Sequence, residues 1–124
     1  MNATVLSLVL FSVALSALAQ VALKMGMSGA AVRSALAEGG AARVVFAVAG
    51  EWRVLAGLAL YFASAAAWLF VLARLQLSMA YPFVGLGFVL TLALGWAVLG
   101  EPLTPVRVLG TLLVAVGVVL IAHS

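Results

Sequence analysis

The chain of 124 residues is 68% hydrophobic and 7% charged, with a mean hydropathy of +1.37, whereas a soluble domain is about half apolar and about a quarter charged. So few polar side chains cannot coat a water-facing globule, and the length fits one domain whose solvent is a bilayer. The net charge of +3 does not point to nucleic acid, because the six cations are spread out and fall almost entirely at the ends of apolar runs, and the absence of cysteine excludes disulfides, thiolate metal sites and cysteine nucleophiles.

In chain order, four apolar stretches are long enough to cross a hydrocarbon core: residues 3–23, 54–73, 79–99 and 106–122. None holds an interior Asp, Glu, Lys or Arg, and none alternates like a strand of a membrane barrel. The expectation is an all-α membrane protein, a single domain over 1–124 with four transmembrane helices. The first stretch ends in "ALSALAQ", which resembles a signal-peptide cleavage site. No cation precedes it and its apolar run is long, so a retained span is expected.

The first span carries the informative polar pattern. Ser12, Ser16, Gln20 and Lys24 recur every fourth residue and form one ridge of a helix. Gln20 unpaired in lipid would cost of order 2–7 kcal/mol, so it must face another helix or a polar cavity. The serines can also bond back to their own helix and let helices pack closely. Lys24 falls about 18 Å beyond Ser12 at 1.5 Å per residue. There it can snorkel to the headgroup layer or meet an anionic headgroup.

The loop from Lys24 to Arg53 contains "ARVVFAVAGEW", whose apolar patch over about 41–50 is too short to span. It reads as a segment lying in the membrane interface, the alternative being an N-terminal extension of the second span. That span places Gly57, Tyr61, Ser64 and Trp68 on one face. This face suits ordinary helix packing, or a groove for a sugar or an acyl chain. After the tight turn "RLQLS", the third span opens "SMAYPFVGLGF". Ser78 can cap it, Tyr81 sits at the interface, Pro82 falls in the first turn, and Gly85 and Gly87 allow a hinge or a close approach. In "GEPLTP", Thr104 can cap the fourth span with Pro105 in its first turn. Glu101 and Arg107 are placed to form an interfacial ion pair. Gly110 and Gly117, one heptad apart, suit internal packing or a dimer contact.

What is missing also constrains function. There is no intramembrane carboxylate or histidine, no P-loop pattern and no Asp, while the lone His123 is next to last. Nucleotide hydrolysis and triad chemistry are therefore excluded, and no enzyme activity, cofactor or metal site is expected. A unit of four helices can hardly enclose a path across the membrane, so a second copy or a partner is implied. Transporters are often built from two oppositely oriented repeats.

Three blocks then resemble a known group: "ALAQVALKMGM", "WRVLAGLALYFASAAAWLFVLARLQLSMAYPFVGLGFVL" and "GEPLTPVRVLGTLLVAVGVVLIA". They are similar to the small four-helix, EamA-like members of the drug/metabolite transporter superfamily. Within that superfamily they resemble the aminoarabinose-phosphoundecaprenol flippase subunits, relatives of the small multidrug resistance proteins. The likeness covers nearly the whole chain outside residues 28–50, and "LSMAYPFVGLGF" and "GEPLTP" are its more specific parts. The resemblance implies a small multidrug resistance-like bundle in a bacterial inner membrane, working as a heterodimer with an oppositely oriented four-helix subunit; a homodimer stays open. Its activity would be to move an undecaprenyl-phosphate-linked sugar from the cytoplasmic to the periplasmic leaflet. Small multidrug resistance proteins carry a glutamate in their first helix; alignment at Lys24 puts Ser16 there, a departure that argues against proton-coupled drug export. The motifs do not select one sugar.

The substrate-binding candidates are accordingly Ser12, Ser16, Gln20, Lys24, Tyr61, Ser64 and Tyr81, with Lys24, Arg53, Arg107 and Arg74 as phosphate contacts. A groove without an acid suits a phosphate, which a carboxylate would repel. Two alternatives stay open: export of a small metabolite or drug, and a non-transporting subunit supporting a membrane glycosyltransferase. Lys24, Arg33, Arg43, Arg53 and Arg107 fall on one side against Arg74 on the other. The positive-inside rule then predicts both termini in the periplasm. Reporter fusions at the two ends should be active only outside the cytoplasm; cytoplasmic termini would overturn this orientation.

Overall fold

A computed structural model describes residues 2–124. Among these residues the chain is all-helical: α1 (Ala3–Met27), α2 (Ala30–Glu38), α3 (Ala41–Ala49), α4 (Trp52–Leu72), α5 (Leu77–Ala80), a 3₁₀ turn (Tyr81–Gly85), α6 (Leu86–Leu99) and α7 (Pro105–Ala122). Four segments are long and apolar enough to cross a membrane: α1, α4, the α5–α6 run and α7.

Local chemistry sets the helix ends. Asn2 caps α1 by accepting from the Val5 N–H at 2.9 Å. The helix runs one turn past the expected end at residue 23 and so includes Lys24. Thr104 caps α7 through the Arg107 N–H at 3.2 Å, with Pro105 in the first turn as expected. Ser78 does not cap the third span. Gln76 holds the N-cap position and Ser78 lies inside α5. Pro82 lies in the 3₁₀ turn joining α5 to α6.

The segment between the first two spans is more ordered than a loop. Gly39 and Gly40 take φ of +79° and +94°, which side-chain-bearing residues rarely adopt, and they turn the chain from α2 into α3. Glu38 and Arg43 form an ion pair across that turn. α3 is a helix of its own rather than an extension of α4, since Gly50 ends it and Glu51 caps α4. No residue of α3 is buried, and Phe46 is 78% exposed.

α1 is central. It packs along α4 and also against α6, while α7 packs on α6 and the 3₁₀ turn. Glycines permit the closest approaches. A Cβ on Gly26 would lie 2.8 Å from the Val54 backbone nitrogen, and one on Gly57 would lie 2.8 Å from Leu23 Cγ. A Cβ on Gly85 would meet Val114 Cγ1 at 2.8 Å, so this glycine is where α7 comes close. Gly110 and Gly117 do not pack internally, having open space where a Cβ would project. The apolar core joins Val5, Val9 and Val13 of α1 to Val71, Ala80, Phe83 and Val118. It closes the end of the bundle where α1 begins and α4 and α7 finish.

Gly26→Ala should cost about 1–3 kcal/mol by overpacking against backbone, read as a lower melting temperature of the purified chain in detergent. Gly50→Ala, which meets only ordinary contacts, should stay within about 0.5 kcal/mol of the parent. Equal melting temperatures for the two variants would contradict the close α1–α4 contact.

Candidate functional site

The ridge of α1 divides into two parts. Ser12 is buried and faces Ser64 of α4. Each hydroxyl donates to the other residue's carbonyl, Ser12 Oγ to Ser64 O at 2.9 Å and Ser64 Oγ to Ser12 O at 2.9 Å. The two oxygens are 3.4 Å apart. This reciprocal clasp satisfies both hydroxyls inside the bundle and joins the helices at mid-length.

Beyond the clasp the ridge faces open space. Ser16, Gln20 and Lys24 line a cavity of about 440 Å³ between α1, α4 and α6, with Tyr61, Thr91 and Glu101 among its other walls. A second cavity of about 220 Å³ adjoins it, sharing Ser16, Tyr61, Val84 and Gly87. Its remaining walls include Ser12, Ser64, Trp68 and Tyr81. The seven substrate-binding candidates from the sequence thus line one continuous groove. Its first part is charged and polar, and its second is aromatic with its serines engaged by each other.

The four candidate phosphate contacts are not gathered in one place. Lys24 is exposed in the main cavity and also lines a third cavity of about 400 Å³ at the mouth, with Arg33, Arg53 and Glu101. Arg53 is already paired: its Nε donates to Glu51 Oε1 at 2.8 Å. That hydrogen bond holds the Glu51 carboxyl below the usual carboxylate range, against an opposing effect of burial and with help from the Arg53 backbone N–H and charge. The lowered value means the pair stabilises the fold above the ordinary glutamate range and ceases to do so as acidification passes the lowered value. Arg107 lines a shallow cavity between α6 and α7 with Thr91, Glu101, Gly110 and Thr111. Arg74 is exposed beyond the end of α4 and lines none of these cavities.

Glu101 departs from expectation. It does not pair with Arg107, whose Nη1 instead donates to Pro102 O at 3.2 Å. Gly100 adopts φ of +69° and closes α6 with the Glu101 N–H bonded to Gly95 O at 3.0 Å. This left-handed cap turns the Glu101 carboxylate back over Gly95, where a Cβ would collide with it. The groove is therefore not free of acid, as the sequence led one to expect.

Thr91 was also missed, although the sequence carries its signal. Gly87, Thr91 and Gly95 recur every fourth residue on α6, a small and polar ridge that faces the ridge on α1.

One curated relative matches part of the chain. Over 51 residues the chain is 47% identical to the probable 4-amino-4-deoxy-L-arabinose-phosphoundecaprenol flippase subunit ArnE of Pseudomonas savastanoi pv. phaseolicola (strain 1448A / Race 6). The chain is similar to a flippase subunit. The matched stretch is 41% of this chain and 45% of the relative, so less than half of the curated protein is spanned. No family model and no solved structure matches. The likeness to this ArnE agrees with the relationship that the motifs imply and with the bundle of four apolar helices.

Ser12→Ala and Ser64→Ala should each lower stability in detergent by about 0.6–2 kcal/mol, the range for hydrogen bonds between membrane helices. The double variant should cost clearly less than the sum of the two, because each single change already opens the clasp. Strict additivity in thermal melts would show that the two serines act independently.

Proposed function

We propose that this chain is a subunit of a flippase that carries a polyprenyl-phosphate-linked sugar across a bacterial inner membrane. The observation supporting this reading most directly is the placement of Ser16, Gln20 and Lys24 along an open groove rather than against a sealed apolar neighbour. The partial similarity to a flippase subunit supports the same class of substrate.

The groove fits that chemistry. A lipid-linked sugar keeps its tail in hydrocarbon, so the protein need shelter only the head. Lys24 attracts the phosphate at the mouth, with Arg33 beside it. Gln20, Ser16 and Thr91 offer neutral hydrogen bonds to sugar hydroxyls along the groove, and Tyr61, Trp68 and Tyr81 supply aromatic faces further in. Arg53 is held by Glu51 and serves the mouth as structure. The positive-inside bias sets the Lys24 end in the cytoplasm and both termini in the periplasm. The closed apolar core then faces the periplasm, and the groove opens toward the leaflet from which the lipid is loaded.

The path is completed by a second four-helix subunit, and one running the opposite way is a different chain of opposite charge bias, since the five-to-one bias holds this chain in one orientation. The outward face of α7, with the unoccupied surface at Gly110 and Gly117, offers that subunit a close approach.

Proteoliposomes containing the chain and its native partner should make a polyprenyl-phosphate-linked amino sugar accessible to a membrane-impermeant amine reagent on the far side. Lys24→Ala should slow this at least about tenfold, the effect of about 1.4 kcal/mol, and Gln20→Ala should slow it less. Unchanged flipping in both variants would overturn the assignment of the groove.

A further inference from the structure

The short helix α3 contributes nothing to the groove or its mouth, and none of its residues is buried. Yet it is apolar, with Arg43 as its single charge. Its two sides differ. Val44, Ala47 and Val48 are half-buried, where the helix packs against α2 and α4. Ala42, Val45, Phe46 and Ala49 are exposed, at a helical spacing that aligns them in one stripe. Val45 is 63% exposed and Phe46 78%. The cation stands outside the stripe and is tied to Glu38.

Water is the wrong solvent for this stripe, and a protein partner needs more of it. A standard protein interface buries about 800 Å² on each side. Two alanines, a valine and a phenylalanine on a helix about 14 Å long fall far short of that. The neighbouring chain points to lipid instead. α3 lies between two spans, and α4 starts three residues after it ends, at Trp52. Trp52 is 71% exposed, and tryptophan favours the membrane–water boundary. The end of α3 and the start of α4 therefore share headgroup depth. The segment over 24–53 carries Lys24, Arg33, Arg43 and Arg53 against Glu38 and Glu51, an excess of positive charge that suits an anionic leaflet. We infer that α3 is a membrane-surface anchor, its stripe of Ala42, Val45, Phe46 and Ala49 lying between the headgroups and acyl chains of the leaflet at the Lys24 end. The hold extends to α2, which packs on α3 and carries Arg33 to the mouth of the groove. Lipid as well as protein thus fixes the height of that arginine. This role does not depend on what the groove carries.

The chain has no cysteine, so one nitroxide at a time can be attached through Val45→Cys or Phe46→Cys. The full chain is placed in nanodiscs of phosphatidylethanolamine and phosphatidylglycerol. Power saturation with oxygen and with a water-soluble nickel chelate should place both labels about 5–10 Å below the phosphates, the depth of an interfacial helix. Labels reached by the nickel reagent and not by oxygen lie in water and overturn the inference. Labels shielded from both reagents lie under protein, a second copy included, and overturn it too. A second arm puts the label on α2 through Ser34→Cys. Adding Phe46→Glu should narrow its spectrum, because α2 loses its hold on the membrane, and Phe46→Ser serves the same arm if Phe46→Glu fails to fold. An unchanged spectrum at Ser34 overturns the hold on α2.

Discussion

The close contact of α1 with α4 organises the molecule. Inside a bilayer, apolar side chains gain little by leaving lipid for one another, so helices associate through close packing and hydrogen bonds. Both devices are present on this contact. Gly26 and Gly57 let the backbones approach, and the Ser12–Ser64 clasp locks the register at mid-length. With α4 held to one flank of α1, α6 stands off at the Lys24 end, and the groove is the space left between them.

That arrangement explains why one polar ridge has two fates. Ser12 falls where α1 touches α4, so its hydroxyl satisfies Ser64 and is satisfied by it. Gln20 and Lys24 fall on the side of α1 turned toward α6, where a cavity separates the two helices, so their polar ends reach it. The apolar core from Val5 to Val13 closes the opposite end. A bundle sealed at one end and open at the other is an asymmetric object, as alternating access requires of a carrier at any one moment.

Electrostatics follow from the same geometry. Two of the three acids neutralise arginines in or beside the segment joining the first two spans, where Glu51 and Arg53 also sit against Gly29 at the start of α2. The third acid is directed into the groove by a backbone device, not by an ion pair. The mouth is therefore bipolar. Lys24 and Arg33 give it positive charge and Glu101 gives it a negative one.

Much of this was legible in the sequence. Long apolar runs without interior charges can only be membrane helices, because backbone polar groups in hydrocarbon must be satisfied within the segment. The four-residue spacing of Ser12, Ser16, Gln20 and Lys24 fixed their common face, since helix periodicity is a local property. Thr104 and Pro105 announced the start of α7 for the same reason. The short helices α2 and α3 were only partly foreseen, since α2 carries little apolar pattern and its end depends on two glycines in left-handed conformations. Only the tertiary structure decided which ridge residues meet a neighbour and which meet a cavity, because that depends on how α4 and α6 pack against α1. It also decided where the Glu101 carboxylate lies. Separation along the chain favoured Arg107, but a side chain's direction after a left-handed cap is set by the turn and by the room at Gly95, which become known only when the helices are in place.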